Sequence, residues 1–254
     1  NVALAGNYQG WHGEKWTARA ALPSARSSLA AAAGGGRVFA LGGIVGIQSP
    51  LNQEYVPAAG AWVTRAAMAT ARYGLAAVAA SGKVYALGGR NPAALAVNEE
   101  YDPAADVWVT RSAMPTARYQ FAAVAVGGAV YAFGGSNAAL LDVNEAYDPE
   151  ANSWTAKAVM PAARRSLAGA AAGGAVYAVG GLDSGGATAS NQRYDPGADA
   201  WTARQGLPSA RHSLAAAAVG GKVYALGGSD GSDLSTNDEY DPAVDAWTTR
   251  IPLP

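Results

Sequence analysis

The sequence predicts an all-β fold built from one four-stranded unit that recurs about every 46 residues, and four sets of regularly spaced residues predict it. Tryptophans stand at Trp16, Trp62, Trp108, Trp154, Trp201 and Trp247, at intervals of 46, 46, 46, 47 and 46 residues. Glycine pairs keep the same period at Gly42-Gly43, Gly88-Gly89, Gly134-Gly135, Gly180-Gly181 and Gly227-Gly228. A Pro/Ala-x-x-Arg element supplies Arg26, Arg72, Arg118, Arg164 and Arg211, and Tyr-Asp-Pro recurs at Tyr101, Tyr147, Tyr194 and Tyr240. A fixed period of this length marks a repeat architecture, in which each unit buries its apolar surface against its neighbours.

The elements of one unit follow in order from residues 69–114. After Arg72 comes a small-residue strand, Leu75 to Ala80, and a turn at Ser81-Gly82. The alternating run Val84-Tyr85-Ala86-Leu87 is the second strand and ends at the glycine pair. A variable loop leads to a third strand through Asn98 and Tyr101. Asp102-Pro103 then opens a turn, because Asp at the first position and Pro at the second suit type I geometry. The fourth strand carries Trp108. Apolar runs of four to eight residues bounded by Gly, Pro or Asp fit strands and not helices. Alanine and glycine crowd the first strand, as expected where several units converge on a narrow axis.

The double glycine, the tyrosine about a dozen residues later and the tryptophan seven beyond it resemble the kelch motif, repeated over nearly the whole chain. Kelch domains are β-propellers, typically of six or seven blades, so the resemblance implies blades set radially round a central channel. The 254 residues hold about five and a half periods, so six blades with one incomplete are expected. The units fall at residues 1–22 (partial), 23–68, 69–114, 115–160, 161–207 and 208–254. The partial unit contains either a second strand at Val2 to Gly6 or a third strand with Tyr8 in place of Tyr101. Many kelch propellers close by sharing strands between their ends. The missing inner strand is therefore expected from residues outside this sequence or from a partner, because an unpaired strand edge invites pairing. A five-bladed ring with surplus N-terminal residues is the alternative.

Composition excludes several classes of function. A net charge of −1, with 18 Lys and Arg against 19 Asp and Glu and no block of like charge, gives no basic face for nucleic acid. Runs such as Leu29 to Ala33 fall far short of the roughly 20 residues that span a bilayer, so a soluble domain is expected. Without cysteine there is no disulfide, no thiolate metal site and no cysteine nucleophile. The copper chemistry of some kelch oxidases, which needs a cysteine cross-linked to tyrosine, is closed to this chain. No cofactor or metal site is expected. Asn1 in place of Met points to a processed chain, and a secreted or periplasmic location is slightly favoured. The near-regular, alanine-rich repeats suggest a bacterial or engineered origin.

Function should sit where the repeats differ, on loops held by a rigid scaffold. Two sets of positions vary. Those after the repeated arginine include Tyr73, Tyr119, Gln120, Arg165, Ser166, His212 and Ser213; those after the glycine pair include Arg90, Asn91, Asn137, Asp183 and Asp230. The resemblance implies that both sets line one mouth of the channel, a mixture of Tyr, Arg and small polar groups suited to recognition. The repeated arginines, the Asp of Tyr-Asp-Pro and the asparagines three before each tyrosine read as structural, and the tryptophans as core. His212 beside Ser213 is a poor base–nucleophile pair on a strand, where adjacent side chains point to opposite faces. Asp183, Asp230 and Asp233 offer oxygens to a hard cation, though the glycine-rich segment after Asp183 reads more simply as a flexible loop. The leading expectation is a non-enzymatic propeller that presents its mouth to a protein or peptide. The alternatives are a propeller that binds or isomerises sugars, as sialic acid mutarotases do, and a structural module of a larger surface assembly.

Overall fold

A computed structural model describes residues 15–254, and among them there is no helix. Five antiparallel four-stranded sheets follow one another along the chain. Blade 1 is Ala30–Gly34, Arg37–Leu41, Asn52–Val56 and Ala61–Arg65, and blade 2 is Ala76–Ala80, Lys83–Leu87, Asn98–Asp102 and Val107–Thr110. Blade 3 runs Ala122–Val126, Ala129–Phe133, Asn144–Asp148 and Ser153–Lys157; blade 4 runs Ala168–Ala172, Ala175–Val179, Asn191–Asp195 and Ala200–Arg204. Blade 5 is Ala215–Val219, Lys222–Leu226, Asn237–Asp241 and Ala246–Thr249. In every blade the strands pair in sequence order, from the axis outwards, and the first strands pack side by side from blade 1 to blade 5. This is a β-propeller.

The side chains explain the order. The first strands are nearly all alanine and line a central channel of about 440 Å³. The second strands carry the bulk, with Val84, Tyr85, Ala86 and Leu87 all at most 1% exposed. Each such Val or Leu contributes on the order of 1.5–3 kcal/mol by leaving water. Aromatic rings join neighbouring blades: Phe39 meets Tyr101 edge-on at 5.8 Å and Tyr85 meets Tyr147 at 5.7 Å. The phenols of Tyr101, Tyr194 and Tyr240 are buried and donate to Asp106, Asp199 and Asp245, and burial pushes their ionisation above the ordinary tyrosine range.

A polar staple fastens each of blades 2 to 5 to the one before it. Asp106, Asn152, Asp199 and Asp245 sit in left-handed turns, and each side-chain oxygen accepts from a backbone N–H of the previous blade; Ala66 N to Asp106 Oδ1 is 2.9 Å. The adjoining carbonyl accepts the next tryptophan's indole N–H, at 2.7 Å from Trp108 to Ala66 and 2.8 Å from Trp154 to Ser112, and similarly for Trp201 and Trp247. The tryptophans are therefore half-buried clamps at the rim rather than full core residues.

Trp62 donates in the same way to Ala20 O at 2.9 Å, and Trp16 donates to Ile251 O at 3.2 Å. Ile251 occupies the position in blade 5 that Ala66 occupies in blade 1, so Trp16 stands at the outer edge of a sixth angular position between blades 5 and 1. The first strands of blades 5 and 1 do not pack as the other neighbours do. The strands expected at Val2 to Gly6 or around Tyr8 lie outside the described residues.

Candidate functional site at the channel mouth

Antiparallel pairing sends the first strand away from the repeated arginine and returns the second strand to the glycine pair, so the two variable sets share one face. The structure joins them in pairs. Isolated bridges connect Tyr73 with Arg90, Tyr119 with Ser136, Arg165 with Leu182, His212 with Ser229 and Ser27 with Ile44. Their backbone bonds are uniform, at 2.9 Å from Arg90 N to Tyr73 O and 2.8 Å from both Leu182 N to Arg165 O and Ser229 N to His212 O.

Just inside these pairs, Ser28, Gly74, Gln120, Ser166 and Ser213 all take left-handed backbone angles, with φ between 52° and 62°. The turn aims each backbone at the next blade: Gly74 N bonds Ser28 O at 2.9 Å, Gln120 N bonds Gly74 O at 2.7 Å, Ser166 N bonds Gln120 O at 2.7 Å and Ser213 N bonds Ser166 O at 2.8 Å. A rigid arc of backbone bonds thus runs round the mouth. Three of the predicted binding residues, Gln120, Ser166 and Ser213, have their backbones committed to this arc. Gln120 Oε1 is buried without a hydrogen-bond donor.

The side chains on the arc differ from blade to blade. Arg90 of blade 2 leans across to blade 3 and stacks on Tyr119, its guanidinium carbon 5.1 Å from the ring centre, and its Nε donates to Pro92 O at 2.7 Å. Asn91 folds back onto Ala71 O at 2.8 Å, while Asn137 points outward, exposed. The Asp183 segment is a tight hairpin of Leu182–Asp183 with Gly186–Ala187, not a loose loop, because Asp183 Oδ1 accepts from Gly185 N at 2.7 Å. Asp230 Oδ1 likewise closes its own turn on Ser232 N at 3.1 Å. Among the described residues no three His, Asp or Glu side chains converge to hold a metal ion.

The expectation for His212 needs correcting. Its Nδ1 lies 3.0 Å from Ser213 Oγ, because Ser213 is in the left-handed region (φ 55°) and adjacent side chains there do not alternate as on a strand. The pair has no carboxylate on the far ring nitrogen among the described residues, which leaves it without the third member that orients a catalytic base.

The repeated arginines lie beneath the mouth and do not line it. Arg72, Arg118, Arg164 and Arg211 are each 0% exposed. Arg72 donates to Glu99 Oε2 at 2.5 Å and Ala86 O at 3.0 Å; Arg118 pairs with Glu145; Arg211 pairs with Asp238 Oδ2 at 2.7 Å. Arg164 faces the neutral Gln192 at 2.9 Å, and burial lowers its ionisation to about 10. The repeated asparagines also bond backbone, as Asn98 Nδ2 does to Ser112 O at 3.2 Å. A repeated, buried, polar frame carries a variable mouth.

A family model, the KLHDC2/KLHL20/DRC7 Kelch-repeats domain, matches residues 74–252. The chain belongs to the kelch-repeat family. The match takes in blades 2 to 5, whose glycine pairs, tyrosines and tryptophans carry the frame described above. No curated protein matches this kelch chain. Kelch propellers are commonly protein-interaction scaffolds.

Proposed function

We propose that this kelch propeller is a binding scaffold whose channel mouth takes a protein or peptide partner. One observation carries the proposal: blade after blade repeats its buried frame, while the paired positions Tyr73/Arg90, Tyr119/Ser136, Arg165/Leu182 and His212/Ser229 change and stand together on one rigid arc. Tyr and Arg dominate binding hot spots, and a guanidinium already stacked on an aromatic ring loses little freedom when a ligand arrives. The test is selection of a random peptide library on the chain, with counter-selection on the triple variant Arg90→Ala/Tyr119→Ala/Arg165→Ala. Peptides retained by the parent and not by the folded variant support the proposal; a library that yields none, or yields the same peptides on both, contradicts it.

A second reading, acceptance of a strand beside blade 5, rests on a different observation. Gly43 N, Gly89 N, Gly135 N and Gly181 N each bond the arginine carbonyl of the following blade at 2.9 Å. Gly228 N and Ser213 O have no such partners among the described residues. A peptide with the sequence of residues 208–220, added in trans, is expected to raise the melting temperature in proportion to its occupancy. A scrambled peptide that does the same, or a native one that does nothing, removes this reading.

A further inference from the structure

Outside the mouth, on the opposite face, blades 2 and 5 repeat a carboxylate-binding triad that blade 4 keeps only in part. In blade 2, Tyr85 Oη donates to Glu100 Oε2 at 2.9 Å, and Arg111 grips the same carboxylate side-on with Nε and Nη2, both at 3.0 Å. Blade 5 does the same: Tyr224 Oη to Glu239 Oε2 is 2.8 Å, with Arg250 Nε at 3.0 Å and Nη2 at 3.1 Å. The triad follows from register, since Tyr85 lies directly across from Glu100, and Tyr224 from Glu239.

Blade 4 keeps two members and inverts the third. Tyr177 and Arg204 hold the tyrosine and arginine positions, but Arg193 lies across from Tyr177 where the sister blades have glutamate. Tyr177 is 3% exposed, and its hydroxyl has no hydrogen-bond partner among the described residues; nor has the Arg204 guanidinium. Arg193 turns to Asp195 Oδ2 at 3.1 Å. All three line an open cleft of about 760 Å³ between blades 4 and 5, with Lys222 and Asp241 of blade 5 on the opposite wall. Lys222 and Asp241 pair with each other. Blade 3 also lacks the acid but has Lys157 in place of the arginine, so it offers no side-on fork.

We propose that this cleft binds a small carboxylate. Its carboxylate group takes the place that Glu100 and Glu239 fill in the sister blades, accepting from Tyr177 Oη and side-on from Arg204. Of the three cations on the lining, Arg193 is paired with Asp195 and Lys222 with Asp241, which leaves Arg204 as the charged fork for a ligand carboxylate. The site is independent of the mouth and of whatever partner binds there.

The test is an NMR titration of the 15N-labelled chain with glutarate. Saturable shifts are expected around Tyr177, Arg193, Arg204 and Lys222, unchanged in the mouth triple variant. Arg204→Gln, which removes a charged fork, should weaken binding about tenfold or more. Arg193→Glu restores the sister carboxylate, keeps the triad's fold, and should abolish glutarate binding altogether. The proposal is overturned if glutarate gives no saturable shifts at these residues, if Arg193→Glu binds as well as the parent, or if inorganic phosphate binds the cleft more tightly than glutarate.

Discussion

Arg72→Ala is expected to lower the free energy of unfolding by about 3–5 kcal/mol, because it strands the buried Glu99 carboxylate without its counter-ion. Glu99 is 1% exposed, and Arg72 is its charged partner at 2.5 Å; Thr70 Oγ1, at 3.2 Å, is a much weaker one. The removed guanidinium also takes one donor away from the Ala86 carbonyl inside blade 2. Urea unfolding followed by tryptophan fluorescence reads the loss directly. Arg164→Ala supplies the internal control. Its side-chain partner is the neutral Gln192, so the group left behind is an amide, and the loss should be smaller, about 1–3 kcal/mol. Equal losses at the two positions would mean that the arginines act by packing volume and not by charge.

Gly88→Ala is expected to be comparably severe for a steric reason. Gly88 has φ 56°, and a Cβ there would stand 2.6 Å from Arg118 O, 2.7 Å from Phe121 Cε1 and 2.9 Å from Met114 Cε. Left-handed strain costs about 1–2 kcal/mol and overpacking about 1–3 kcal/mol more. Two of the contacts, Arg118 and Phe121, come from the unit of blade 3, so the residue is a measure of how closely the following blade is docked. Gly227 has nearly the same backbone, φ 60°, yet its Cβ would meet only Leu234 O at 3.3 Å and Leu253 Cδ1 at 3.4 Å among the described residues. Gly227→Ala should therefore lose little beyond the backbone strain. Thermal melts of the two variants give the comparison, and a Gly227 variant as damaged as the Gly88 variant would show a tightly docked neighbour at the sixth position.

The blade plan was legible in the sequence because each repeated residue has a single mechanical duty, and five or six copies of a duty make a period. Trp108 clamps the neighbouring carbonyl, Asn98 bonds the next strand's end and Gly88 admits the following arginine's backbone; none of these tolerates drift. That the two variable sets share one mouth came from the kelch resemblance, and in the structure alternating strand direction puts Tyr73 and Arg90 on one face. The left-handed arc was not legible. Ser28, Gly74, Gln120, Ser166 and Ser213 share a conformation but no side-chain type, so composition gives no sign of it. The same missing turn led to the wrong geometry for His212 and Ser213. The cleft between blades 4 and 5 did leave a trace, in Arg193 standing where Glu54, Glu100 and Glu239 stand. Its meaning needed the neighbouring Tyr177 and Arg204, which are brought beside it only by strand register.

On the function proposed above, the mouth recognises and the frame beneath it merely supports. The most direct measurement is calorimetric binding of one selected peptide to the parent chain, to the triple variant Arg90→Ala/Tyr119→Ala/Arg165→Ala and to Arg204→Gln on the far face. The account predicts that the triple variant melts within a few degrees of the parent and loses the peptide, while Arg204→Gln binds it as the parent does. A triple variant that keeps the peptide, or an Arg204→Gln variant that loses it, would contradict the account and move recognition away from the mouth.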